Sequence, residues 1–268
     1  MASVRERGLF MSRLSVKKKL EQGELLISAM VRFPDPSAAE VLALCGVDIV
    51  TVDMEHYPFN EETILHVIRA VQSQGGACFV RVPDADPERI GRMMDYGADG
   101  IHLPGVETCE EAEQLVQAVK FPPVGRRGFC PITRAARYGL DGANYQQYAR
   151  RANDEALIMI QVETKTGVEN VDEIAAVDGI DLVGHGPSDL AASYRVTGQN
   201  DHPLVQAATE KIYAAVQKNG KCMCDIASTP AQIKELRKKG ARCIGIGSDQ
   251  QLMAAACRAL VKEIHKEA

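Results

Sequence analysis

Short runs of β-branched and aliphatic residues alternate along this chain with longer segments whose apolar positions recur every three or four residues. The short runs fall at 25–31, 47–53, 77–82, 98–103, 157–162, 180–184, 221–226 and 242–247. They are nearly continuous in apolar character, as strands covered on both faces of a parallel sheet are. The longer segments read as amphipathic helices. Segment 61–74 places Ile64, Leu65, Ile68 and Val71 on one face, and 87–96 does the same with Ile90, Met93 and Met94. Further helical patterns lie at 110–119, 168–176, 203–218 and 229–239. Asp86-Pro87 and Ser228-Thr229-Pro230 offer a capping side chain beside a proline. Gly46, Gly75, Gly97, Gly220 and Gly240 stand where helices should stop.

Strand and helix thus repeat eight times, which predicts an α/β fold of the (β/α)₈ TIM-barrel type as one domain spanning 1–268. A helix over about 11–22 precedes the barrel. Segment 121–156 is too long for a plain connection. Its Pro122-Pro123, Arg126-Arg127-Gly128 and Arg134-Ala135-Ala136-Arg137 phrases predict an active-site or subunit-contact loop, with a short helix near 144–151.

Composition narrows the picture. With 268 residues, 46% of them hydrophobic, the chain can bury one large core. A net charge of -5 without a basic stripe argues against a nucleic-acid partner. The Lys17-Lys18-Lys19 run reads as a solvated helix face. No apolar stretch is long enough to span a bilayer, and the N-terminus lacks the uninterrupted apolar core of a signal peptide. Most of the eight cysteines sit inside apolar runs, and Cys222-Met223-Cys224 has the wrong spacing for a CxxC motif. A reduced cytoplasm is the expected compartment.

The chemistry gathers just past the C-terminal ends of the predicted strands. Arg32, then Asp53, Glu55 and His56, then Arg81, then His102 follow the first four. Gln161 and Glu163, then His185, Ser188 and Asp189, then Cys224 and Asp225, then Ser248 and Asp249 follow the last four. Catalytic groups of a parallel barrel belong on that rim. Asp48, Asp99 and Asp181 begin strands and read as turn residues of the opposite end. Glu163 and Asp189, on neighbouring strands with room left for water, suit an octahedral divalent metal. Either acid alone would serve equally as a helix cap or first-turn acid. Arg81 has a second reading as a rim salt bridge, and His56 as a turn histidine. His102 and His185 read more simply as structural. Asp95 closes a helix, where the dipole disfavours an acid, so a specific partner is expected for it.

Several segments together resemble the HpcH/HpaI aldolase family of metal-dependent pyruvate aldolases. They are Asp53-Met54-Glu55-His56, Val80-Arg81-Val82-Pro83, and Asp95-Tyr96-Gly97-Ala98-Asp99 with Pro104. Gln161-Val162-Glu163-Thr164, Gly186-Pro187-Ser188-Asp189-Leu190 and the mid-chain Arg127-Gly128 and Arg134-Ala135-Ala136-Arg137 loop complete the set. The resemblance implies a barrel whose C-terminal helix is exchanged between subunits, in homohexamers built as trimers of dimers. It implies Mg²⁺, Mn²⁺ or Co²⁺ on Glu163 and Asp189, chelated by a 2-oxo acid. Arg81 would reach the keto oxygen, Ser188 and Asp189 would hold the carboxylate through their N–H groups, and Gln161 would lie beside the metal. His56 and Asp95 would form a proton-handling dyad. The implied reaction is cleavage or formation of the C–C bond between pyruvate and an aldehyde. The alternative is the same enolate used for decarboxylation or for addition to another acceptor. Lys165 is not needed as a Schiff-base lysine.

Two positions depart from the family pattern. His185 stands where an apolar residue is usual, and strand seven ends in Cys224-Asp225-Ile226 instead of small or aliphatic residues. The expectation drawn from this is that His185 or Asp225 faces the pocket and alters the choice of acceptor.

Overall fold

The computed structural model describes residues 11–140 and 144–267. Eight strands close into a barrel in sequence order, all neighbours parallel, with the last paired to the first. They are β1 (Leu26–Val31), β2 (Ile49–Asp53), β3 (Ala77–Arg81), β4 (Gly100–Leu103), β5 (Leu157–Val162), β6 (Leu182–His185), β7 (Cys222–Ile226) and β8 (Ala241–Ser248). Twelve helices are described: α1 (Met11–Glu21), α2 (Pro36–Leu44), α3 (Glu61–Ser73), α4 (Pro87–Asp95), α5 (Cys109–Val119) and α6 (Tyr145–Glu155), then α7 (Lys165–Glu169), α8 (Val171–Ala176), α9 (Pro187–Ser193), α10 (Pro203–Lys218), α11 (Pro230–Lys239) and α12 (Asp249–Glu267). The single helix expected over 168–176 is two short ones, α7 and α8, meeting at Asn170, whose φ of -97° and ψ of 5° interrupt the turn. The periodicity did not reveal α2, α9 or α12. Helix α9 is only seven residues long, too short for a repeat to declare itself.

The capping signals act as expected. Asp86 accepts from the Glu88 N–H at the start of α4, and Thr229 accepts from the Gln232 N–H at the start of α11. Each satisfies one of the amides that a helix start leaves without a partner.

The pleat sorts the strand residues into two layers. Leu26, Ile49, Ala77, Phe79, Leu157, Leu182, Cys222, Cys224 and Cys243 form the inner cluster. Val50, Val52, Cys78, Val80, Ile101, Ile158, Ile160, Val183, Met223 and Ile244 face outward under the helices. Inside, Phe79 fills the space opposite Gly100, where an added Cβ would lie 2.7 Å from its ring. Helix α1 closes the lower end, with Val16 buried in the inner cluster and Leu20 packed against it. This corrects the reading of the lysine run as a solvated face. Lys17 donates to the Asp154 carbonyl and Lys19 pairs with Asp48, leaving Lys18 the exposed member.

The aspartates that open strands tie the lower end together. Asp48 accepts the Ile27 N–H at 2.8 Å, Asp99 the Cys78 N–H at 2.8 Å, and Asp181 the Ile158 N–H at 2.8 Å. Each bridges an even-numbered strand to the odd-numbered one before it. Among the described residues no helix is long and apolar enough to cross a membrane.

Candidate active site at the upper rim of the barrel

The alternation that fills the core also aims the polar side chains. Two-residue steps from Leu26, Ile49, Phe79 and Leu157 place Arg32, Asp53, Arg81, Gln161 and Glu163 on the inner face at the upper end. The same step from Gly100 puts His102 there. Strand pairing sets these residues side by side, with Asp53 opposite Arg81 and Arg81 opposite His102.

They form two connected networks. In the first, buried Asp53 accepts from Arg81 Nε at 3.1 Å and Arg81 Nη2 at 2.6 Å, and from Arg32 Nε at 3.2 Å. Glu55 lies 3.2 Å from Arg81 Nη1. Burial pushes the Asp53 carboxyl up, but the Arg81 guanidinium outweighs it and leaves the group below its ordinary value. Arg81 is thereby locked in one orientation, charged, and only 7% exposed. In the second network, His102 Nε2 lies 3.0 Å from Gln161 Oε1, and the Gln161 amide donates to Glu163 Oε2. Burial, reinforced by the Arg81 charge, drives His102 down to about 3, so it is neutral across the working range.

Glu163 follows β5 and Asp189 lies in the first turn of α9, just after Gly186 and Pro187. Burial raises Glu163 to about 7, Gln161 partly relieves it, and the charges of Asp189 and Glu55 push it further. Glu55 Oε2 is itself buried without a hydrogen bond. Gly186 makes room for this arrangement, since a Cβ there would sit 2.2 Å from Glu163 Oε2. Among the described residues no three His, Cys, Asp or Glu side chains converge as a metal cluster. The fit to a divalent cation therefore rests on Glu163 and Asp189 as a pair of hard oxygen donors, with water and substrate completing the shell. That is the way Mg²⁺ is commonly held.

The structure separates other residues that the resemblance had joined. His56 follows β2 with its side chain 60% exposed, and its charged neighbour is Glu55, with Nε2 3.4 Å from Oε2. Asp95 ends α4 on the outside of the barrel, where it pairs with Arg127 of the long loop. It lines a groove of about 1760 Å³ with Arg92, Arg127 and Phe129. No contact joins His56 to Asp95 within the chain as described. The physical reason is placement, because a helix end points outward while a strand end points into the mouth. The partner expected for Asp95 from the dipole argument exists, and it is Arg127.

His185 and Asp225 are likewise turned away from the mouth. Their strand neighbours Leu182 and Cys224 face inward, so alternation sends both outward, beneath α10. There His185 Nε2 lies 3.2 Å from Asp225 Oδ1, and Tyr213 of α10 donates to Asp225 Oδ2. The expectation that they face the pocket is corrected accordingly. Ser188 is exposed, with its Oγ accepting from Asn200 at 3.3 Å. Asp53, Glu55, His102 and Arg32 stood on the rim in sequence but without a role. Inward register, at two-residue steps from apolar core positions, is the signal that selects them.

Comparison with known proteins agrees with this fold. The chain is 34% identical over 250 residues to a 5-keto-4-deoxy-D-glucarate aldolase of Klebsiella pneumoniae, covering 93% of this chain and 96% of that protein. It is 35% identical over 243 residues to a hydroxypyruvate/pyruvate aldolase of Roseovarius nubinhibens, covering 90% and 93%. A crystal structure from Burkholderia cenocepacia, of an HpcH/HpaI aldolase/citrate lyase family protein, superposes with a TM-score of 0.87 at 32% identity, covering 94% of this chain and 99% of that one. Residues 31–256 match the HpcH/HpaI aldolase/citrate lyase family as a whole, and the chain belongs to that family.

Proposed function

We propose that this protein is a divalent-metal-dependent aldolase, which cleaves or forms the C3–C4 bond of a 4-hydroxy-2-oxo acid to give pyruvate and an aldehyde. The observation that carries the reading is buried Glu163, raised by burial and by the charge of the more exposed Asp189, set against the fixed positive charge of Arg81 at the barrel mouth. The aldolase relatives support the same reaction class.

The chemistry needs a base for the 4-hydroxyl and a sink for the electrons released when C3–C4 breaks. Glu163 and Asp189 would hold Mg²⁺, Mn²⁺ or Co²⁺, which would supply Lewis acidity at the keto group. Arg81, oriented by Asp53, places a guanidinium where negative charge grows as the enolate forms. A charge fixed in advance needs no reorganisation in the transition state. The N–H groups of Ser188 and Asp189 lie in the first turn of α9 and suit the substrate carboxylate. Gln161, held by neutral His102, orients Glu163. His56, exposed at the rim beside Glu55, takes the 4-hydroxyl proton in cleavage and returns it in synthesis.

The functional particle is proposed to be a homo-oligomer, as the family pattern of trimers of dimers implies. Helix α12 exposes Leu252, Met253, Leu260, Val261 and Ile264 in one long apolar stretch, which suits cover by another copy and exchange between subunits. The mass of the particle in solution tests this. An Asp95 brought to His56 from a neighbouring copy would complete the dyad that one chain leaves apart.

The experiment that tests the reaction is deuterium exchange at the pyruvate methyl group, followed by NMR with Mg²⁺, Mn²⁺ or Co²⁺ and then with chelator. Exchange that requires the metal is the expected result. Exchange that survives complete metal removal, or its absence in metal-loaded protein, would sink the proposal.

A further inference from the structure

The pairing of β6 with its two neighbours is unequal. On the β5 side the backbone register runs to the last residue, from Met159 opposite Leu182 to Val162 opposite His185. On the β7 side it stops after Leu182 opposite Cys222 and Val183 opposite Met223. The ladder between β7 and β8 continues to Ile226 opposite Gly245, so the early stop is particular to the β6–β7 seam. Past that point the two strands are joined on the outer face by side chains. His185 Nε2 stands 3.2 Å from Asp225 Oδ1, in close contact but out of hydrogen-bond alignment, with the two side chains 5% and 10% exposed. Asp225 Oδ2 takes the Tyr213 hydroxyl, and Asp225 Oδ1 also accepts the Ile226 N–H at 2.6 Å. Burial pushes the Asp225 carboxyl up, and His185 with Tyr213 outweighs it, leaving the group below its ordinary value. Removing one partner from such a buried group leaves the others without their polar contacts, which is costly.

His185 is the residue immediately before Gly186-Pro187-Ser188-Asp189. Gly186 lies against Glu163 Oε2, and Asp189 carries the other carboxylate of the site. Any movement of the upper end of β6 therefore changes the distance between the two acids. From this geometry we infer that His185, Asp225 and Tyr213 form a clamp, which closes the β6–β7 seam where backbone pairing ends and sets the position of the metal-binding turn. The three are positioning residues and none touches substrate. The inference rests on the metal reading above and adds a second set of residues to it.

The test is Mn²⁺ binding to the full-length protein, by calorimetry and by the EPR signal of free Mn²⁺, with folding checked by thermal melting. His185→Ala and Asp225→Ala are each expected to raise the Kd by about tenfold, the scale of lost support behind a metal ligand. The double variant is expected to raise it no further, because the pair acts as one unit. Tyr213→Phe and Asp225→Asn keep the packing volume and are expected to give smaller rises, which covers the case in which an alanine variant does not fold. The KM for pyruvate in the exchange reaction should rise with the Kd, which a loss of stability alone would not produce. Folded variants with wild-type Kd, or single losses that multiply in the double variant, would overturn the clamp. Glu163→Ala provides the control. Wild-type binding no tighter than that variant would overturn the metal reading and the clamp together, whereas Glu163-dependent binding that ignores all the clamp variants would overturn the clamp alone.

Discussion

At the lower end of the barrel Asp48, Asp99 and Asp181 each accept a main-chain N–H from the preceding strand. At the upper end Asp189 and Glu55 bear on Glu163 instead, which rises to about 7 through burial and their charges. The residue types are the same, and the difference lies in what faces them. Below, the acids meet donors supplied by the backbone and join strands together. Above, Glu163 is buried beside other acids with the Gln161 amide as its donor, which is a cost to the empty fold and an invitation to a cation. An acid at a strand end in a parallel barrel is thus structural or functional according to whether the neighbouring strand presents an amide to it.

The contrast breaks most sharply at the top. Glu163→Ala and Asp189→Ala are each expected to abolish metal retention and to lower turnover by about 10³ or more, on the scale of lost transition-state electrostatics. Metal content after dialysis and pyruvate exchange measure the two effects, and turnover persisting in a metal-free Glu163→Ala protein would refute the assignment. At the bottom the same kind of change should do the reverse. Asp99→Ala strands the buried Cys78 N–H and removes one of the two acceptors of the buried Gln72 amide, which keeps the Gly97 carbonyl. It should cost about 1–3 kcal/mol of stability while leaving the Mn²⁺ affinity of folded protein unchanged. Denaturant unfolding and calorimetry check this, and a lost Mn²⁺ affinity would blur the division between the two ends.

A smaller effect concerns pH. The folded value of Glu163, about 7, lies above its ordinary 4.5, so between those values the native state holds more protons than the unfolded one. Metal-free protein should accordingly lose stability as pH rises through that window, and the slope should vanish in Glu163→Gln. Thermal melting of both proteins from pH 4.5 to pH 7.5, compared as a difference, isolates this group from His102. His102 has the opposite sign, because its folded value of about 3 lies below its ordinary one and stability is lost as pH falls toward it. A Glu163→Gln protein with an unchanged slope would mean that the upper acids are not strained.

Much of this was legible in the chain itself. The eight strands lie within two residues of where apolar runs place them, because a strand covered on both faces must be apolar throughout. Asp86, Thr229 and the strand-opening aspartates acted locally, and local rules found them. The aim of side chains near strand ends was harder to read. His185 and Asp225 sit one residue out of step with Gly184 and Cys224, and that single step decides between the mouth and the helix layer. Asp95 illustrates the same limit, since the sequence told that it needed a partner but not that Arg127, thirty-two residues away, would reach it.

By itself the sequence determined the barrel, the order of its elements and the residue types at its upper rim, because periodicity and turn chemistry act over a few residues. Only the tertiary structure decided which rim residues meet. Barrel closure sets Asp53 beside Arg81 and Gln161 beside His102. The pleat turns His185 toward Tyr213 and away from the site. Those contacts join residues tens of positions apart, and their geometry follows from register and strand direction, which a run of apolar letters does not carry.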